Sequence, residues 1–113
     1  MKVGVIDARG AGIGRTIIKK LRREMGDDIY IVALGTNTVA TSNMVDVGAN
    51  VGITGESSIC RALKVIGMDC IIGPIGIMCS GGIEGEISSA ISEAIFKSDC
   101  IKYIIPLKKH GIY

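Results

Sequence analysis

A chain of 113 residues with 48% apolar side chains fits one domain with a core of ordinary size, and a net charge of +2 excludes recognition of nucleic acid by bulk charge. Three Tyr, one Phe and no Trp leave the core to Ile, Val, Leu, Met and Ala, and so short and oily a chain is expected to cover a leftover apolar face as a homodimer or higher homo-oligomer. Residues 70–79 form the longest apolar run, about half a membrane span and interrupted by Pro74, so no membrane partner is expected.

The elements alternate between β-branched runs and helical periodicity. Residues 2–7 read as a first strand, opening through a glycine-rich turn into a helix over about residues 12–25. Ile13, Ile17, Leu21 and Met25 form that helix's apolar stripe, and Gly26 ends it. Lys19, Lys20, Arg22 and Arg23 fall on its outer side and read as a solvated face. A second strand covers residues 29–34, and the turn Gly35-Thr36-Asn37 carries N-cap chemistry for a second helix. That helix should turn Val39, Ala40, Met44 and Val47 inward and stop at Gly48. Thr54-Gly55-Glu56 reads as a third helix start, with Thr54 as N-cap and an acid in the first turn. Ile59, Leu63 and Ile66 supply its stripe and Gly67 its end. Residues 70–73 give a third strand, residues 86–97 a fourth helix burying Ile87, Ile91, Ala94 and Ile95, and residues 101–107 a fourth strand.

This succession predicts a single α/β domain over residues 1–113, Rossmann-like or flavodoxin-like, in three layers around a four-stranded parallel sheet. The expected strand order is 2-1-3-4, with ligands at the carboxyl ends of the strands. Four loops converge there: residues 9–14, 35–37, 73–85 and 108–110. The first has no complete signature. In the G-x-G-x-x-G frame Gly10 and Gly12 fit but Arg15 takes the third place, and in a Walker frame Arg15 replaces the lysine. What survives is a phosphate nest of Arg9, Gly10, Ala11, Gly12, Ile13, Gly14 and Arg15 at a helix N-terminus.

The end of the second strand offers Gly35, Thr36 and Asn37 and no carboxylate to hold a ribose hydroxyl. Arg9 would suit a 2′-phosphate, so an NADP-like cofactor or a mononucleotide is expected over NAD. Thr54, Gly55, Glu56, Gly73 and Pro74 complete the expected binding edge. Catalytic candidates are Asp7, Glu56, Cys79 and His110. Asp7 reads first as a local acceptor of backbone N–H groups, with metal coordination as the sharper alternative. Glu56 reads as a helix-dipole residue or a general base, and Glu84 and Glu86 read as dipole residues of the fourth helix. Cys79 and His110 fall at one edge and permit a thiolate–imidazole pair. No His, Cys and carboxylate set has metal-ligand spacing. Cys60, Cys70, Cys79 and Cys100 form no C-x-x-C pair and read as thiols of a reducing, cytoplasmic compartment.

The motifs Val5-Ile-Asp-x-x-Gly-x-Gly-Ile-Gly-Arg15, Ala33-Leu-Gly-Thr-Asn37, Gly48-Ala-Asn50, Thr54-Gly-Glu56, Gly73-Pro-Ile-Gly-Ile77 and Gly85-Glu-Ile87 together resemble small bacterial proteins grouped as domain of unknown function 3842. The resemblance spans essentially the whole chain. It implies the fold and a bacterial, cytoplasmic setting, and implies no activity, substrate or catalytic residue. A looser similarity to short-chain dehydrogenases stops after some thirty residues, and none of Tyr30, Tyr103 or Tyr113 has the lysine four positions later that their hydride transfer needs. Three functional expectations stand. The first is binding of a small phosphorylated nucleotide or cofactor. The second is an enzyme acting on a small phosphorylated substrate through Asp7, Glu56 or Cys79. The third is an oligomeric regulatory module with no small ligand.

Overall fold

The computed structural model describes residues 1–106. Five parallel strands, β1 (Lys2–Asp7), β2 (Tyr30–Gly35), β3 (Val51–Thr54), β4 (Cys70–Pro74) and β5 (Ile101–Ile105), form one sheet in the order 3-2-1-4-5. Helices α1 (Gly12–Met25), α2 (Thr38–Asp46), α3 (Glu56–Arg61) and α4 (Ser89–Lys97) make the connections. The expected four-stranded sheet is therefore corrected to five. The four expected strands keep their relative order, and β3 joins beyond β2 as a new edge.

Alternation along β2 shows how the core is divided. Ile31 and Ala33 pack with Val3, Val5, Ile18 and Met44, on the face covered by α1 and α2. Val32 and Leu34 pack with Ile6, Ile71, Ile59 and Ile91, on the face covered by α3 and α4. Burial on both faces explains why these strands read as unbroken Val/Ile runs.

Several local readings shift. In α2 the inward residues are Ala40, Thr41 and Met44, whereas Val39 is exposed. Helix α3 is shorter than its stripe implied and passes into a π-helical turn over Ala62–Ile66, which leaves Ile66 exposed. Thr54 does not cap α3: Gly55 does, at φ 93°, and Thr54 ends β3 with its hydroxyl on Thr41 Oγ1 at 2.8 Å. Helix α4 starts at Ser89, capped by Ser88, rather than at Glu86.

Arg22 is also not a solvated charge. Its guanidinium donates to the carbonyls of Gly48, Gly26 and Ile29 and to Asn50 Oδ1, at 2.5–2.9 Å. It fastens the end of α1 to the start of β2 and to the segment entering β3, at the amino end of the sheet.

Candidate functional site

The chain runs outward in opposite directions from β1 and β4, which lie side by side. A crevice at their carboxyl ends is where such a sheet binds ligands. Two loops meet there, β1–α1 and β4–α4.

Asp7 organises the first. It is 4% exposed, and its carboxylate accepts the N–H groups of Ala8 and Gly14, both at 2.8 Å. Burial pushes its pKa up, against the lowering effect of those two bonds, and the nearby Glu86 charge adds to the rise. Asp7 is thus the acceptor that caps the first turn of α1, and Gly14 is glycine because a Cβ there would lie 3.1 Å from Asp7 Cβ and 2.7 Å from Met44 Sδ. The remaining amides at this helix end, those of Gly10, Gly12 and Ile13, take part in no hydrogen bond among the described residues. Among the described residues, a Cβ at Gly10 or Gly12 would meet nothing within 4 Å. The nest is open.

The second loop supplies what the end of β2 lacks. Glu86 Oε1 accepts from Thr36 Oγ1 at 2.6 Å, from Asn37 Nδ2 at 2.9 Å and from the Arg9 amide at 2.9 Å. The Thr36 bond, then the Arg9 amide, hold its pKa below the ordinary carboxylate value, burial opposes them, and Asn37 and the Arg9 charge assist. Arg9 forms an ion pair with Glu84 of the same loop, and Asn37 also donates to the Arg9 carbonyl at 3.1 Å. A carboxylate therefore does stand at the end of β2, delivered from fifty residues downstream. The expectation of an acid-free position there is corrected: no neighbouring residue along the strand could reveal it.

The backbone carries matching strain. Among the described residues, four non-glycines have left-handed φ: Arg9 (54°), Ala11 (56°), Ile83 (52°) and Glu84 (54°). All lie in these two loops. A β-branched residue such as Ile83 in that region is an outlier that surrounding contacts must impose, and such strain gathers at ligand clamps.

The other expected residues divide. Arg15 is exposed on α1 and Glu56 is exposed at the start of α3. Gly35 and Gly73 answer to packing: a Cβ would lie 2.6 Å from the Thr41 amide nitrogen at Gly35 and 2.7 Å from the Ile6 carbonyl oxygen at Gly73. Pro74 is buried at the end of β4, and Cys79 is exposed in the loop that follows. His110, with the end of the expected fourth strand at Leu107, lies outside the described residues. Burial, with Glu56 nearby and only partial relief from Lys64, pushes the Cys60 thiol up, which disfavours a reactive thiolate there. No group of three or more His, Cys, Asp or Glu among the described residues could hold a metal ion.

A separate hollow lies elsewhere. It is a groove of about 470 Å³ between α3 and α4, lined by Cys60, Lys64, Glu93 and Lys97 among others. Because α4 descends from the carboxyl edge, this groove sits towards the amino end of the sheet; it takes in Cys60 but no residue of the β1–α1 or β4–α4 loops.

Fold and loops define a parallel α/β protein with an open amide nest and a bound carboxylate at the middle of its carboxyl edge. The chain belongs to the family described as Domain of unknown function (DUF3842), whose family model matches residues 2–113. No curated protein and no solved structure matches it. Among the described residues no helix is long and apolar enough to cross a membrane.

Proposed function

We propose that this is a Rossmann-like nucleotide-binding protein, holding a phosphate on the β1–α1 loop and a ribose beside Glu86. The carrying observation is the pairing of three uncommitted amides, at Gly10, Gly12 and Ile13, with a strained loop that brings a carboxylate to the end of β2. Amides at a helix N-terminus favour an anion, and a carboxylate in that place suits a vicinal diol. The same carboxylate repels a 2′-phosphate. Glu86 thus shifts the favoured ligand from an NADP-like cofactor to a mononucleotide or a cofactor with a free ribose diol. Arg9 reaches a phosphate by exchanging its partner Glu84.

Thermal shift with AMP, ADP, NAD and NADP tests this reading. At a hundredfold its dissociation constant a ligand stabilises by about 2.7 kcal/mol. The expected result is a rise with at least one diol-bearing nucleotide, absent in Gly12→Val, and a Glu86→Gln variant that gains response to NADP. No response to any nucleotide in the wild type would falsify the reading.

A further inference from the structure

Strand β5 closes one side of the sheet, and its two faces are treated differently. Its register pairs Cys70 with Ile101, Ile72 with Tyr103 and Pro74 with Ile105. Ile101, Tyr103 and Ile105 therefore continue the face that α1 and α2 cover over β1, β2 and β3. Helix α1 reaches β1 and β4 and stops there. These three residues are left 61%, 52% and 38% exposed. On the other face α4 covers Ile104. Its residues Ala90, Glu93, Ala94 and Lys97 turn towards α3, which leaves Phe96 on the side of the β5 edge, 74% exposed. The chain's one phenylalanine and one of its three tyrosines thus flank a strand edge that is unpaired among the described residues.

Edge strands are ordinarily guarded by charge. The one charged residue in β5 does not serve that end. Lys102 turns its ammonium back onto the carbonyls of Ser98 at 2.5 Å and Cys100 at 3.2 Å. The opposite edge strand, β3, is four residues long, contains Gly52 and lies beneath α2.

We infer that β5 is the interface with a second copy of this chain, the two strands running antiparallel about a two-fold axis at Tyr103. The sequence of the strand selects this occupant. Pairing centred on Tyr103 sets Ile101 opposite Ile105 and Tyr103 opposite its own copy, so every apolar side chain on that face meets an apolar one. On the other face Lys102 stands opposite Ile104, its aliphatic stem against the isoleucine, and one Phe96 lies towards each end of the seam. A surface that complements itself under a two-fold is what an isologous dimer requires. Aromatic side chains bury 150–250 Å² each, so the exposed parts of Phe96 and Tyr103, with Ile101 and Ile105, give about 900–1,000 Å² over both copies. That is the size of a weak, transient interface rather than a stable one, and it fits a dimer that dissociates on dilution. The two sheets join into one of ten strands. The crevice between the β1–α1 and β4–α4 loops takes no part, so the dimer stands or falls independently of the nucleotide reading.

Sedimentation equilibrium of the full chain, from about 1 to about 200 µM, tests the assignment. Wild-type mass should climb from 11.8 kDa towards twice that value as concentration rises. Tyr103→Lys should weaken association about thirtyfold or more, as loss of a central aromatic does, and Phe96→Glu, at the end of the seam, should weaken it severalfold. Val65→Glu, at an equally exposed apolar residue beyond α3 (72%), should leave it unchanged. A wild type that stays monomeric throughout overturns the proposal. So does a dimer that persists in both edge variants, or one that Val65→Glu disrupts as strongly. Circular dichroism reports folding; if Tyr103→Lys fails to fold, Phe96→Glu on the exposed side of a helix decides.

Discussion

Glycines crowd two regions of this molecule for opposite reasons. Beneath α2, Gly35 and Gly52 lie on neighbouring strands and are glycine because Thr41 sits where their side chains would be: a Cβ would approach Thr41 Oγ1 to 2.2 Å at Gly35 and Thr41 Cγ2 to 2.5 Å at Gly52. In the β1–α1 loop, Gly10 and Gly12 face open space within the molecule. The first pair lets a helix dock on a sheet. The second is not required by any contact among the described residues, which is why it carries the functional argument. Glycine density alone at the carboxyl edge cannot separate the two.

Substitution turns the contrast into numbers. Gly35→Ala drives a methyl group into the Thr41 backbone and should lower stability by about 3 kcal/mol, read as a lower urea midpoint.

Glu86→Gln should lower stability by about 1 kcal/mol near neutral pH, since a charged acceptor of three bonds becomes a neutral one. The pH dependence sharpens this. A carboxylate held below its ordinary 4.5 contributes stability above that pH and loses it as the pH falls through the folded-state pKa. Asp7 acts oppositely: raised from 3.8 by burial, it makes folding less favourable as the pH rises through that range. The wild type sums the two. Urea midpoints between about pH 3 and about pH 7 should fall less on acidification in Glu86→Gln, leaving the Asp7 slope visible.

The smallest effect is the most telling. Gly12→Val should move stability by no more than about 0.5 kcal/mol, because nothing lies within 4 Å of the added Cβ. A large loss there would mean that the loop is structural after all, and the contrast between the two regions would collapse.

Much of the fold was legible because local and global signals agree. In β1 and α1 a Val/Ile run, a glycine turn and a regular apolar stripe all point the same way, and both boundaries match. Strand β3 was hidden. Val51-Gly52-Ile53-Thr54 is short, its glycine weakens the β signal, and the helix-start pattern beginning at Thr54 absorbs its last residue. Only the docking of Thr41 explains why Gly52 belongs in a strand. The site was legible by half. The nest follows from the sequence around Gly10 and Gly12, whereas Glu86 meets Thr36 through the packing of a loop coiled by left-handed residues at Ile83 and Glu84. A helix beginning at Glu86 is the natural reading of the apolar period, and the strained loop replaces its first turn.

Arg22 has a consequence for motion. Its four hydrogen bonds join the chain leaving α1, at Gly26 and Ile29, to the chain leaving α2, at Gly48 and Asn50, at the amino end of the sheet, and Asn50 passes the tie on to the Ile31 amide at 2.7 Å. Partial opening of the native state must spare the end that this guanidinium holds, so the loops at the far end open first. Amide exchange should run slow at the base and fast at the rim. Any molecule captured at the rim therefore acts on the loops farthest from this tie, and its arrival registers as slowed exchange in the loops before it registers in the core.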